Sequence, residues 1–400
     1  MTEALIEEVL SPDGWAYASS PPVDQSDPGR FHALFGRDSL IFALQVLPER
    51  PEIAAATLRA HAALQGRVDD LEIDEEPGKI IHEHRPVAPA WLVEAGWPVR
   101  DGEIRYYGTA DATSWFLVVL AATGDRALQA ELAGAALAAA GWLERSLERG
   151  QGLVRYGPRT GTGGLHQQGW RDATDPEHHP GGGGILRADG TEPTAPLADA
   201  DVQAVAVAAL SALAELQPDR ADHWHARAAA LRARVTADFT PDVMAIEADG
   251  RPVSGAGSQL GWLLWADALE PAAAELAADR LARPDVLTDY GLRTLSADHP
   301  AFQAHAYHRG AIWPFDSWLG WAGLAALPSG RHLETAERVR SGVLTALDQL
   351  GRAPELYAVT PAGALEPIAM SNRVQAWTIG AAHALRAGWT GRPFVVQSRP

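Results

Sequence analysis

The feature that most constrains this chain is a helical period repeated along almost its whole length. Ala, Leu, Glu and Arg recur at three- and four-residue spacing over Asp125 to Arg149, Leu197 to Leu216, Arg220 to Phe239 and His332 to Leu350, the signature of helices with one apolar face. The same pattern runs more briefly over Asp38 to Leu47, Glu52 to Gln65, Ala110 to Thr123, Gln259 to Ala268, Ala272 to Ala282, Ile312 to Leu327 and Arg373 to Gly388. With frayed ends and the N-terminus allowed for, the count is about a dozen, and the helices come in pairs.

Between the pairs lie long loops, Gly66 to Arg85, Gly150 to Thr194 and Ala353 to Asn372, and long loops on a rigid scaffold are where sites are built. Strand signals are short and local, at Asp242 to Ala248 and Phe394 to Gln397, so a large sheet is not expected. Gly181 to Gly184 beside Pro180 reads as part of one loop rather than as a linker. The expected fold is all-α: a single (α/α)6 barrel domain over residues 1–400, a six-hairpin toroid whose inner helices frame a pocket and whose outer helices cover them. An open helical solenoid is the rival, and no fixed-period repeat supports it.

Charge and residue usage remove several function classes. With 33 basic against 51 acidic residues the net charge is −18, which disfavours nucleic acid and anionic lipid surfaces as partners. There is no Cys, hence no disulfide framework, thiolate zinc site or Cys nucleophile. Lys79 is the only lysine and lacks the surroundings of a phosphate-binding loop. No run approaches the roughly 18 apolar residues of a membrane span, and the start lacks a secretory pattern, so a cytoplasmic protein is expected. The 14 Trp outnumber the 7 Tyr and the 8 Phe, and indole faces suit sugars as well as cores.

The loop Gly169-Trp170-Arg171-Asp172 sets an acid beside an indole and a guanidinium. A carboxyl against an aromatic wall is partly desolvated, which raises its pKa and keeps it protonated as a general acid must be. Asp172 is therefore the candidate acid, with an Asx-turn as the alternative. Pro354-Glu355-Leu356-Tyr357 places a second carboxyl in another loop, and paired carboxyls are the apparatus of glycoside hydrolysis: one protonates the leaving oxygen while the other activates water or attacks.

The ordered motifs resemble those of the (α/α)6-barrel glucosidases of the glycogen-debranching and glycoside hydrolase family 63 type. The resemblance rests on Phe35-Gly36-Arg37-Asp38-Ser39, Glu76-Pro77-Gly78-Lys79-Ile80-Ile81-His82-Glu83, Tyr106-Tyr107-Gly108-Thr109-Ala110-Asp111-Ala112-Thr113, Gln168 to Asp172, Tyr307-His308-Arg309-Gly310-Ala311-Ile312-Trp313-Pro314, Pro354-Glu355-Leu356 and Gln375-Ala376-Trp377. It implies Asp172 as general acid and Glu355 as general base. It also implies that Arg37 and Asp38 grip sugar hydroxyls, unless they form a structural pair, and that Tyr107, Asp111, Trp170, Arg171, Tyr307, His308, Arg309, Trp313, Gln375 and Trp377 complete the substrate pocket. For the aromatics, core packing is the alternative. Ala353, Arg171 and Ser371-Asn372-Arg373 depart from the family pattern. The first motif begins about 35 residues into the chain, so the β-sandwich that often precedes such barrels is not expected.

The expected partner is a small carbohydrate, cleaved from one end in a blind pocket by an inverting α-glycosidase that needs no cofactor. Arg85, Arg171 and Arg309 are expected near the mouth, where they would receive a carboxylate on a small aglycone such as glycerate. His82 with His84, His178 with His179, and His305 with His308 are clusters of a kind that can hold a metal, and none has metalloprotease spacing. Two other readings stay open. One is a sugar epimerase or isomerase on a similar barrel, with His82, His305 or His308 as bases; the other is a noncatalytic helical interaction protein.

Overall fold

The computed structural model describes residues 2–22, 29–158, 164–173, 183–239 and 241–392. Its helices are α1 (Thr2–Glu8), α2 (Gly36–Val46), α3 (Pro51–Ala63), α4 (Ala90–Glu94), α5 (Ala112–Ala122), α6 (Arg126–Glu131), α7 (Ala133–Arg149), α8 (Ala200–Leu216), α9 (Ala221–Asp238), α10 (Gln259–Trp265), α11 (Pro271–Leu281), α12 (Pro314–Ala325), α13 (Leu333–Leu350) and α14 (Ala376–Ala387). The strands are β1 (Leu34–Phe35), β2 (Glu83–Arg85), β3 (Ile104–Tyr106), β4 (Ala198–Asp199), β5 (Val243–Ile246), β6 (Pro252–Ser254), β7 (Leu287–Thr288), β8 (Gly291–Leu292), β9 (Tyr357–Val359) and β10 (Leu365–Pro367).

Six helices pack in a closed cyclic order: α2 on α5, α5 on α8, α8 on α10, α10 on α12, α12 on α14, and α14 back on α2. The sequence explains why these six are inside. Every residue of α2 and α10 is buried, as is all of α12 up to Leu324, because apart from a few polar residues, mostly in their first turns, these helices are apolar or small on all sides. The others are one-sided. α9 buries only Trp224, Ala228, Leu231 and Val235, at spacings of four, three and four, and it lies on α8. In the same way α3 backs α2 and α5, α7 backs α5, α11 backs α10, α13 backs α12, and α1 backs α14.

Most helical boundaries follow the sequence reading, and the differences have local causes. The stretch Asp125 to Arg149 is two helices, stepping at Leu132 (φ −94, ψ 10) while Asp125 caps the first by accepting from Ala127 and Leu128 N–H. Leu128 and Ala136 remain buried on either side, so the period does not register the step. α12 begins at Pro314 rather than Ile312, with proline at its first position, and Ile312 instead bridges to Arg293 and Tyr357. The stretch Ala353 to Asn372 contains the hairpin β9–β10. Among the described residues the sheets have two or three strands each, and no single helix is long and apolar enough to cross a membrane. The Phe394 to Gln397 strand expectation, His178 with His179, and part of the Gly181 to Gly184 stretch lie outside the described residues.

Of the sheets, β1–β2–β3 bears most directly on the site. Its antiparallel register pairs Phe35 with Glu83 and Glu83 with Tyr106, which brings three motifs from separate loops side by side at the entrance to α2 and α5.

Candidate active site

Every ring helix begins with functional groups. α2 carries Arg37 and Asp38 in its first turn, α5 follows Asp111, and α8 follows Asp199 with Asp201 just inside. α10 follows Ser258, α12 follows Trp313 with Asp316 in its first turn, and α14 follows Gln375 with Trp377 just inside. These side chains touch around the ring. Gln375 Nε2 donates to Asp38 Oδ1 at 3.2 Å, Arg37 Nε donates to Asp111 Oδ2 at 2.7 Å, and Trp262 Nε1 of α10 donates to Asp316 Oδ1 at 2.6 Å. The six N-termini therefore share one end, where partial positive charge and unpaired N–H groups favour carboxylates.

The loop segment 164–173 crosses this end. Gly169 is required there, since a Cβ would stand 2.3 Å from Asp199 Oδ2. Arg37 Nη2 donates to Gly169 O at 2.8 Å and Nη1 reaches Asp172 Oδ2 at 3.2 Å, so one buried guanidinium fixes both the loop and its acid. Asp172 keeps 22% of its side chain exposed, whereas Asp111 is fully buried. Burial pushes the Asp172 carboxyl up to about 6, with Arg37 opposing the rise.

Glu355 enters from the opposite half of the sequence. Its backbone N–H donates to Asn372 O at 2.9 Å, and its carboxylate accepts the Tyr307 hydroxyl at Oε1 and the Asn372 N–H at Oε2, the latter at 3.0 Å. Burial pushes this carboxyl up to about 7, with the two donors restraining it. Asp38 is pushed up to about 8 by burial, and Asp172 and Glu355 each add to that shift. The three carboxyls thus occupy one neighbourhood.

Aromatic rings pack beside them. Trp170 stacks on Trp262 (6.0 Å, 7°) and meets Trp313 and Phe315 edge-on, while Trp377 stacks on Phe315 at 3.9 Å and His308 stacks on Trp313 at 5.3 Å. Trp170, Trp313 and Trp377 are 1%, 1% and 4% exposed, so packing against one another is their observed role. Arg171 lies over Trp170 and is ion-paired with Asp201, and it donates to Ser258 Oγ at 3.0 Å. Burial pushes Asp316 up to about 6 and raises Asp201 strongly, each opposed by Arg171.

Several expectations are corrected here. Arg171, Arg85 and Arg309 do not stand open at the mouth: they are 1%, 6% and 5% exposed. Arg85 is ion-paired with Glu83 and donates to the Arg30 carbonyl, and Arg309 Nη1 donates to Ala301 O at 3.0 Å. Tyr107 does not join the carboxyls. Its hydroxyl donates to Leu64 O at 2.7 Å, because the next residue along an extended chain points to the other face; it is Tyr106 that feels Asp172. Arg37 holds Asp111, Gly169 and Asp172 instead of standing free for hydroxyls. His82 and His308 are buried, which lowers both, His82 to about 3, and His305 is exposed with Nε2 2.8 Å from Glu366.

Sequence reading missed Asp199, Asp201, Ser258, Trp262 and Asp316. A signal existed for two of them, an Asp at the cap of a long apolar helix and an Asp three residues after a helix-opening Trp-Pro, but each also reads as ordinary capping. Among the described residues no group of three or more His, Asp or Glu is arranged to hold a metal ion. Clefts of about 490 and 280 Å3 lie elsewhere, one beside Gln65, Pro77 and Ala138 and one beside Glu75, Arg100 and Glu103.

The sequence matches the family model of the Mannosylglycerate hydrolase MGH1-like glycoside hydrolase domain over residues 50–357. The fold is similar to that of a family 63 mannosylglycerate hydrolase from Thermus thermophilus solved in complex with Tris, with a TM-score of 0.67 and 16% identity over 97% of this chain and 99% of that one. The same enzyme with Tris and D-glycerate gives 0.66 and 15% over 97% and 100%, and with glucose 0.64 and 15% over 97% and 98%. No curated protein matches the sequence.

Proposed function

The chain belongs to the Mannosylglycerate hydrolase MGH1-like glycoside hydrolase family, and from that premise we propose that it is an inverting, exo-acting α-glycosidase with Asp172 as general acid and Glu355 as general base. The epimerase and noncatalytic readings give way to glycoside hydrolysis. The observation that carries the mechanism is the pairing itself. Two carboxyls 183 positions apart in the chain, 355 minus 172, are gathered at one end of the helix ring, each desolvated and each held by its own donor, Arg37 for Asp172 and Tyr307 for Glu355.

In the mechanism Asp172, protonated, gives its proton to the leaving glycosidic oxygen, and Glu355, ionised, takes a proton from the water that attacks the anomeric carbon from the other face. Arg37 keeps Asp172 in place. Asp38 and Gln375, bonded to one another, face the sugar hydroxyls, and the buried Trp170, Trp313 and Trp377 cluster gives that subsite a rigid wall. The cyclic order of six buried helices with outer helices behind them supports a single (α/α)6 barrel domain. A barrel plugged by packed aromatics leaves a blind pocket, which suits one terminal sugar.

The substrate we propose is a small α-mannoside or α-glucoside, of the glycosylglycerate type or a short oligosaccharide. The test is a panel of mannosylglycerate, glucosylglycerate, trehalose and isomaltose, scored by released reducing sugar, with the first product anomer read by proton NMR. An α-glycoside should yield the β-anomer first, with kcat/KM that does not rise beyond two or three sugars. Initial α-product would refute inversion, and internal cleavage of polymers would refute the blind pocket.

A further inference from the structure

Asp74 lies 98 positions before Asp172 in sequence, by subtraction, and belongs to none of the motifs above. It has φ of +57, a conformation that side-chain-bearing residues rarely adopt and that persists only where the surroundings impose it. It is 3% exposed. Its Oδ2 accepts the Tyr106 hydroxyl at 3.0 Å and the Gln168 amide at 3.3 Å, while its Oδ1 is buried with no hydrogen-bond partner. Its carbonyl accepts from Lys79 Nζ at 3.2 Å.

The two donors lead to the acid. Tyr106 also accepts the backbone N–H of Leu165 at 2.8 Å, and Gln168 gives its carbonyl to Ala110 N–H at 2.8 Å. Leu165 and Gln168 stand on the same described stretch of loop as Asp172, which follows Gln168 by four residues. Gly164 is pressed against the same pair, where a Cβ would lie 3.0 Å from the Tyr106 oxygen and 3.2 Å from Asp74 Oδ2. Arg37 fixes the Asp172 end of this stretch, and Asp74 with Tyr106 fixes its start.

We infer that Asp74 is a positioning residue for the general acid, acting through Tyr106 and Gln168 to hold the 164–172 stretch so that Asp172 meets the leaving oxygen. The inference rests on Asp172 being the acid, and its test uses that fact. A substrate whose leaving group needs no protonation, such as an α-glycosyl fluoride, is indifferent to where the acid sits.

Asp74→Ala should lower kcat on the natural glycoside by about thirtyfold or more with little change in KM, yet lower turnover of the fluoride by no more than about threefold. Asp74→Asn, which tolerates the same backbone and still offers a carbonyl acceptor, should restore natural turnover to within about threefold of wild type. Should Asp74→Ala not fold, Tyr106→Phe removes the same clasp and should show the same split between substrates. Equal losses on both substrates, or no loss on either, in the variant that folds would overturn the positioning role. Asp172→Asn is the control. If it is rescued by the fluoride and Asp74→Ala is not, only the inference on Asp74 fails; if Asp172→Asn is not rescued, the acid assignment fails and takes this inference with it.

Discussion

Tyr307→Phe offers the sharpest test of how the two carboxyls share their protons. The mechanism needs Asp172 protonated and Glu355 ionised, yet burial brings Asp172 to about 6 and Glu355 to about 7. The acid therefore gives up its proton more readily than the base. Between the two values only a minority of molecules carry both working forms together. The Tyr307 hydroxyl favours the ionised form of Glu355. A hydrogen bond to a charged group is worth about 1.5–3 kcal/mol, or about one to two pKa units. Its loss should carry Glu355 to about 8–9, so activity at pH 6.5 falls by about tenfold to a hundredfold. With this order of ionisation the alkaline limb of kcat/KM reports Glu355. That limb should move from about 7 to about 8–9, and the two enzymes should converge to within about twofold at pH 9, where Asp172 alone limits both. Phenylalanine keeps the ring against Trp313 and His308, which leaves packing aside. The assay is kcat/KM from pH 4.5 to 9.5 on a natural glycoside. An acidic limb that moves while the alkaline limb stays would show that Glu355 ionises before Asp172, and an unmoved profile would show that Tyr307 does not tune the base.

Other predictions bear on the same site. Asp172→Asn and Glu355→Gln should each lower natural-substrate kcat by about three decades or more with the circular dichroism spectrum unchanged, since each removes a proton-transfer role at nearly constant volume; near-wild-type turnover removes the residue from the mechanism. Glu355→Gln should also stabilise the protein at alkaline pH. The folded-state value, about 7 against an ordinary 4.5, means that the native state binds this proton more tightly, so the contribution is full below pH 4.5 and is lost as pH rises through 7. The loss reaches about 3 kcal/mol. Urea unfolding at pH 8 should favour the variant by up to that amount and at pH 4 by little, and a variant less stable than wild type at pH 8 would contradict the assignment. Gly169→Ala should cost about 1–3 kcal/mol and most of the activity, because the new methyl must displace Asp199 or the loop; unchanged melting and turnover would mean that the loop gives way freely.

The helices were legible in the sequence because their period is long and their faces consistent, whereas it is burial in the structure, one-sided in α9 and all-round in α2 and α10, that sorts outer from inner. Local chemistry made Asp172 and Glu355 candidates among 51 acids, and it was the ordered set of motifs that singled them out. What could not be read was the direction in which neighbouring side chains face. Tyr106 and Tyr107 are adjacent and alike, yet only strand pairing through Glu83 decides that the second turns away. Arg171 looked like a mouth residue because its neighbours are polar, and it is Asp201 and Ser258, distant in sequence, that draw it inward. Asp74 carried no signal at all, since a left-handed Asp in a loop differs from an ordinary turn residue only once its partners are in place.

The closing of the ring by α14 on α2 has a consequence for assembly. Gln375 reaches Asp38 across 337 positions of chain, and Glu355 is held by Asn372 just ahead of that last helix. The proposed catalytic constellation is therefore complete only when the two ends of the helix ring have met. Bringing ends so far apart together carries an entropic cost that local helix formation does not repay. In refolding, helical signal should return well before turnover does, and the interval between them would time the seam. Enzymatic activity is, for this architecture, a clock for the last contact to form.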